Sequence, residues 1–160
     1  MSKSMNVIDL FFFAARTDPG KIAIIGKNRQ ISFADLENEI KLTATYFHQR
    51  GIRKGDRVLV FVPMSVDLYR IVLALFYIGA TAVFLDEWVS KQRMDESCRV
   101  AKCHVFIGIL KARVFAFFSK ELRQIPIKLG VNYKQAGSNQ FEKAIVAAED
   151  TALITFTTGS

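Results

Sequence analysis

The chain closes on Leu153-Ile154-Thr155-Phe156-Thr157-Thr158-Gly159-Ser160, an apolar run that empties into hydroxyl side chains and a glycine. Residues of these types suit an anion. Glycine lets the backbone approach closely, successive N–H groups can form a nest, and hydroxyls donate further hydrogen bonds with little bulk. Phosphate is the natural guest of such a run as Thr157, Thr158, Gly159 and Ser160. A frayed terminus accounts for such a run as well. For Thr155, alternation on a strand suits its β propensity. Cys98 and Cys103, beside His104, lack the second ligand pair that a zinc site needs, and read as two buried or half-buried thiols with no disulfide framework. His48 and His104 have no visible nucleophile partner, and no H-E-x-x-H, G-x-S-x-G or complete Walker loop occurs. The residues assign neither a catalytic group nor a metal ligand.

The elements that must position the terminal run follow from composition and periodicity. With 160 residues, 51% apolar and 23% charged, the chain can bury one core, and disordered or collagen-like classes are excluded. The formal charge of +7 would suggest nucleic acid if the cations clustered with exposed aromatics. The densest group, Arg50, Arg53, Lys54 and Arg57, reads instead as a solvated loop, and no nucleic-acid partner is expected. Ile71 to Leu85 falls short of the roughly 18 to 20 residues of a membrane span, and Gly79 interrupts it. Asp9 sits inside the apolar patch Val7 to Ala15, which spoils it as a secretory signal, so a cytoplasmic location is expected.

Asn6 can cap a helix over Val7 to Arg16, and Ile22 to Ile25 with Gln30 to Ser32 can pair across a polar turn. Ser32 can cap the next helix, which carries Phe33, Leu36, Ile40, Ala44 and Phe47 on one face and stops at Gly51. Uninterrupted apolar runs then alternate with helical segments: Val58 to Val62, a helix over Val66 to Ile78, Ala80 to Leu85, a helix over Ser90 to Val100, and His104 to Ile109. A helix over Ala112 to Leu122, a strand over Ile127 to Val131, a loop over Asn132 to Asn139, the segment Phe141 to Ala148 and a strand over Ala152 to Phe156 complete the chain. Runs without alternation of apolar and polar residues belong to strands covered on both faces. The expected fold is α/β, a partial doubly wound and largely parallel sheet with helices on both faces, in which Val66 to Ile78 crosses right-handedly between parallel neighbours.

Several motifs carry a family resemblance. Ile31-Ser32-Phe33-Ala34-Asp35-Leu36 resembles an S-[YF]-x-[DE]-L motif, and Gly51-Ile52-Arg53-Lys54-Gly55-Asp56-Arg57-Val58 resembles a G-x-x-x-G-D-R-V segment entering a core strand. Leu73 to Ala80 resembles a helix ending in a G-[AG] pair, and Thr155 to Ser160 the opening of a phosphate loop, [ST]-[ST]-G-[ST]-T-G-x-P-K-G. In this order they are similar to the beginning of an adenylate-forming enzyme, the superfamily of acyl-CoA synthetases, luciferases and peptide-synthetase adenylation domains. Leu85-Asp86-Glu87-Trp88 departs from the family, standing where relatives commonly have a D-P pair, and the Lys half of the loop is absent.

The resemblance implies the N-terminal part of the large adenylation domain over residues 1–160, one compact but incomplete unit. It implies an ATP-dependent acid-thiol ligase as parent: a carboxylic acid, possibly a fatty acid, reacts with ATP and magnesium to an acyl-adenylate that passes to a thiol such as coenzyme A. It further implies that Thr157, Thr158, Gly159 and Ser160 begin the loop holding the β and γ phosphates, that the chain alone is inactive, and that uncovered apolar surface favours self-association. The alternative is a self-contained flavodoxin-like domain that binds a ligand or partner without catalysis.

Overall fold

The computed structural model describes residues 6–85, 91–132 and 141–156, with the side chain of Lys91 left aside. Helix α1 (Val7–Thr17) starts where Asn6 accepts from the N–H of Ile8 at 3.1 Å while Asp9 accepts from the N–H of Asn6 at 3.0 Å, a reciprocal cap. The Asn6 amide also donates to the Phe76 carbonyl at 2.7 Å, tying the helix to its neighbour. The expected hairpin forms from β1 (Ile22–Ile25) and β2 (Gln30–Ser32), paired antiparallel with Ile24 opposite Ile31. Ser32 caps α2 (Phe33–Gln49), accepting from the N–H of Asp35 at 3.1 Å.

The remaining strands form one parallel sheet. In chain order they are β3 (Arg57–Phe61), β4 (Thr81–Phe84), β5 (Val105–Gly108), β6 (Ile127–Leu129) and β7 (Leu153–Thr155); across the sheet the order is β6-β5-β3-β4-β7. Each neighbour pair is parallel. The connection from β3 to its neighbour β4 is α3 (Val66–Ile78), capped by Ser65 as its sequence indicates. Strand residues alternate between two cores. Val58, Val60, Ala82, Val105, Ile107 and Leu129 pack with α1, α2 and α3, while Leu59, Val83 and Phe106 pack with α4 (Lys91–Ala101), α5 (Leu110–Ala116) and α6 (Lys120–Gln124). Both faces are covered, which is why the strands show no polar alternation.

One expected helix is two. The run Ala112 to Leu122 is broken at Phe117-Phe118-Ser119, where the N–H groups of Phe117 and Phe118 bond three residues back to Val114 and Phe115 and tighten the turn. Ser119 then caps α6: its fully buried hydroxyl accepts from the N–H of Leu122 at 3.1 Å and donates to the Asp95 carboxylate of α4. A cap that also satisfies a neighbouring helix outweighs the continuity of the apolar pattern.

Between β6 and β7 the segment from Phe141 to Thr151 crosses the outer side of α2 and α3 with neither helix nor strand until β7. Phe141 stacks on His48 with ring centroids 4.3 Å apart and donates its N–H to the Thr45 hydroxyl at 3.0 Å. Burial, then the Arg53 charge, holds the His48 imidazole below its usual pKa. The Ala144 N–H reaches the Tyr77 carbonyl at 2.9 Å, and Lys54 donates to the Ile145 carbonyl at 2.9 Å while pairing with Asp150 at 2.8 Å. This crossing explains the G-[AG] motif. Gly79, at φ +78°, ends α3 in the left-handed region, and a Cβ there would lie 3.0 Å from Val146 and 3.1 Å from Lys54. The G-D-R-V turn docks on it, with the Gly55 N–H on the Gly79 carbonyl at 2.9 Å and the Thr81 N–H on the Asp56 carbonyl at 2.8 Å.

Candidate functional site

Parallel strands align their carboxyl ends, and ligands of open α/β sheets bind outside that edge, where crossovers diverge to opposite faces. Here the divergence lies between β3 and β5: α3 leaves β3 on one face and α4 leads into β5 from the other. At this edge an apolar cleft of about 340 Å³ opens, lined by Phe61, Pro63, Met64, Leu68, Leu85 and Ile109 among others. The loop after β3 is held by the Ser65 hydroxyl, which donates to the Pro63 carbonyl at 2.9 Å. The cleft is chemically suited to an apolar body rather than an ion.

β7 delivers the terminal run to the same edge. It pairs with β4 through Val83 opposite Ile154, and the Phe156 N–H donates to the Phe84 carbonyl at 3.3 Å. The backbone is thus placed as far as Phe156, beside the mouth of the apolar cleft. Thr157, Thr158, Gly159 and Ser160 lie outside the described residues. Thr155 is a strand residue, as its β propensity indicates.

A second cleft, of about 680 Å³, opens at the carboxyl ends of β5 and β6 and is basic. Arg50, Arg113 and Lys128 line it, with Tyr46, Gly108 and Gly130. The Arg50 guanidinium sits 5.2 Å above the Tyr46 ring, and Lys128 donates to the Arg123 and Ile125 carbonyls. Gly130 leaves room for Arg113, whose Nη1 would lie 3.3 Å from an added Cβ. These cations come from the C-cap of α2, from α5 and from β6, so sequence reasoning missed the cleft: no local spacing links positions so far apart. Of the basic group expected to be simply solvated, Arg53 donates to the His48 and Ile52 carbonyls and Arg57 to the Ala101 carbonyl at 2.8 Å. The loop is exposed, and its cations serve as backbone clasps.

The cysteines match their reading as thiols: Cys98 is buried, Cys103 half-buried, and both are free. Among the described residues no cluster of His, Cys, Asp and Glu could hold a metal ion, and no helix is long and apolar enough to cross a membrane.

Comparison with known proteins agrees with the sheet. The model of a family described as AMP-binding enzyme matches residues 11–160. Malformin synthetase mlfA of Aspergillus homomorphus is 26% identical over 146 residues, which cover 91% of this chain and 3% of the synthetase. The N-terminal subdomain of Klebsiella oxytoca NpsA, solved in complex with 3-hydroxybenzoyl-AMSN, superposes with a TM-score of 0.76 at 24% identity, covering 99% of this chain and 39% of that one. A Mycobacterium tuberculosis fatty acyl CoA synthetase gives 0.81 at 18% identity, covering 96% and 32%. The chain therefore spans well under half the length of these relatives.

Proposed function

Because the chain belongs to the AMP-binding enzyme family, whose fold it shares with N-terminal subdomains of adenylate-forming enzymes, we propose that it supplies the first α/β unit of an ATP-dependent acid-thiol ligase. The ligase joins a carboxylic acid to AMP and hands the acyl group to a thiol, with coenzyme A as acceptor. The observation that carries this reading is the parallel course of β7 beside β4, which brings the chain up to Phe156 at the edge where the apolar cleft opens. An apolar acid, a fatty acid among them, suits a cleft lined by Phe61, Met64, Leu85 and Ile109.

The chemistry demands charge management. A carboxylate must approach an anionic phosphate, so rate comes from holding both in register and from donors aimed at the developing charge. Thr157, Thr158, Gly159 and Ser160 are proposed to begin the loop that holds the β and γ phosphates. Among the described residues no cluster of carboxylates suits magnesium. In a ligase carrying this segment with the rest of the family fold, Thr158→Ala removes a charge-assisted hydrogen bond of about 1.5 to 3 kcal/mol. Pyrophosphate release with a panel of fatty and aromatic acids then falls by about one to two decades. An unchanged rate, or release that depends on no carboxylic acid, defeats the reading.

The basic cleft supports an anionic acceptor. Arg113→Glu reverses a charge beside Lys128 and Arg50 and is expected to raise KM for coenzyme A by about tenfold, a loss near 1.4 kcal/mol. Pyrophosphate release in the first half-reaction stays unchanged. Equal loss in both half-reactions places Arg113 in general stability instead.

A further inference from the structure

On the far side of the sheet from the candidate site, at its amino edge, the end of α4 brings two thiols together in a way that nothing in the ligase reading uses. The helix closes in a Schellman turn. Lys102 adopts φ +51°, in the left-handed region, its N–H reaches back to the Arg99 carbonyl at 3.3 Å, and the Cys103 N–H reaches the Cys98 carbonyl at 3.4 Å. This pair of bonds defines the motif, and the residues it joins across the turn are those whose side chains make contact in it. Those residues are Cys98 and Cys103. Both pack into the core formed with Leu59, Val83 and Phe106, Cys98 buried and Cys103 reaching solvent.

The surroundings distinguish the two sulfurs. The Cys103 sulfur across the turn pushes the Cys98 thiol up, and Cys98 in turn draws Cys103 below the ordinary thiol range. Arg57 adds a positive charge beside Cys103, and it is anchored there by its bond to the Ala101 carbonyl. Burial and the negative charges of Asp95 and Glu121 further oppose ionisation of Cys98. His104 follows in sequence, its N–H held by the Arg57 carbonyl at 2.9 Å, so the half-buried cysteine sits between the helix end and the first residue of β3.

We propose that Cys98 and Cys103 are an oxidative modification site, a dithiol that a hydroperoxide converts into an intramolecular disulfide across the end of α4. The Cys103 thiolate attacks the peroxide, breaking the O–O bond and leaving Cys103 as a sulfenic acid with water or an alcohol as the departing product. Cys98 then attacks that sulfur. The S–S bond forms, hydroxide leaves and takes up the Cys98 proton as water, and the peroxide has accepted both electrons. The helix end holds the resolving thiol on the residue paired with its target, so the disulfide forms before further oxidation, and a dithiol reductant reverses it.

The test uses the reduced 160-residue chain with hydrogen peroxide, followed by thiol titration and mass spectrometry of non-reduced tryptic digests. Trypsin cuts after Arg93, Arg99, Lys102 and Lys111, so the cysteines fall on separate peptides. The expected result is loss of both titratable thiols, a mass lower by two hydrogens, and linkage of the peptide beginning at Met94 to that beginning at Cys103, all reversed by dithiothreitol. In Cys98→Ser, dimedone captures a sulfenic acid at Cys103, whereas Cys103→Ser reacts at least tenfold more slowly. Independent oxidation of the two residues to sulfinic acids, or linkage only between chains or only in denaturant, overturns the proposal. These readouts on the unsubstituted protein hold even if a variant folds poorly.

Discussion

Given ATP, magnesium and any of a panel of fatty or aromatic acids, the 160-residue chain alone is expected to release no pyrophosphate above the uncatalysed background. The described residues provide an apolar cleft and an aligned strand edge. Binding that holds ground state and transition state equally lowers no barrier. The acceleration of about 10⁶-fold or more that an enzyme provides requires several preorganised donors around the transferring phosphoryl group. The chain covers 39% of the NpsA N-terminal subdomain with which it superposes. Exposed apolar side chains fit the same picture: Phe117 and Phe118 are 68% and 70% exposed, and Ile145 on the crossing segment is open to solvent. Self-association of the isolated chain, seen as concentration-dependent sedimentation, is the accompanying expectation. Robust turnover by the short chain would show that the proposed division of labour is wrong.

The largest stability effect is expected at Arg70. Although charged, it is 2% exposed, because α3 presents it to a ring of acceptors. Its Nη1 donates to the Thr43 hydroxyl of α2 at 2.8 Å, and its Nη2 donates to the Val131 carbonyl after β6 at 2.8 Å and to Asp67 at 3.1 Å. Glu39 adds a longer contact at 3.7 Å. One side chain thus joins two helices to the edge of the sheet. Arg70→Ala leaves a cavity, an orphaned carbonyl and two carboxylates held by Arg29 alone, a loss of about 3 to 5 kcal/mol. Total stability of a domain is only about 5 to 15 kcal/mol, so the urea midpoint should fall by about a fifth or more. Arg70→Met restores most of the volume and should recover part of the loss, separating the cavity from the polar contribution. Arg70→Lys recovers less than its charge suggests, because an ammonium cannot fork between Thr43 and Val131. A change below about 1 kcal/mol in Arg70→Ala would mean that the cluster is incidental.

Much of this architecture is legible before any coordinates, and for identifiable reasons. The caps at Asn6, Ser32 and Ser65 and the left-handed stop at Gly79 depend on residues within a turn of one another. The strands at β3, β4 and β5 are legible because burial on both faces demands apolar residues at every position. The break at Ser119 carried a local signal, a capping serine followed by Glu121 in the first turn, but a continuous apolar pattern overlay it. Parallel pairing of β3 with β4 followed from the helix between them.

What escaped the reading was set by partners distant in the chain. Arg70 looks like a surface arginine on an amphipathic helix until α2 and β6 close over it. The basic cleft needs Arg50, Arg113 and Lys128 from three elements, and the dithiol needs a left-handed Lys102, a conformation that no side chain of its type advertises. The path from Phe141 to Thr151 has no periodicity because, apart from one turn between Ala147 and Asp150, its backbone bonds go to Thr45, Tyr77 and Lys54. The sequence by itself determined the helices, the two-sided strands, their turns and the family, since each rests on local propensity or on ordered motifs. Only the tertiary structure decided the strand order, the burial of a charge and the meeting of the two thiols, because those energies arise when segments far apart in sequence exclude water together.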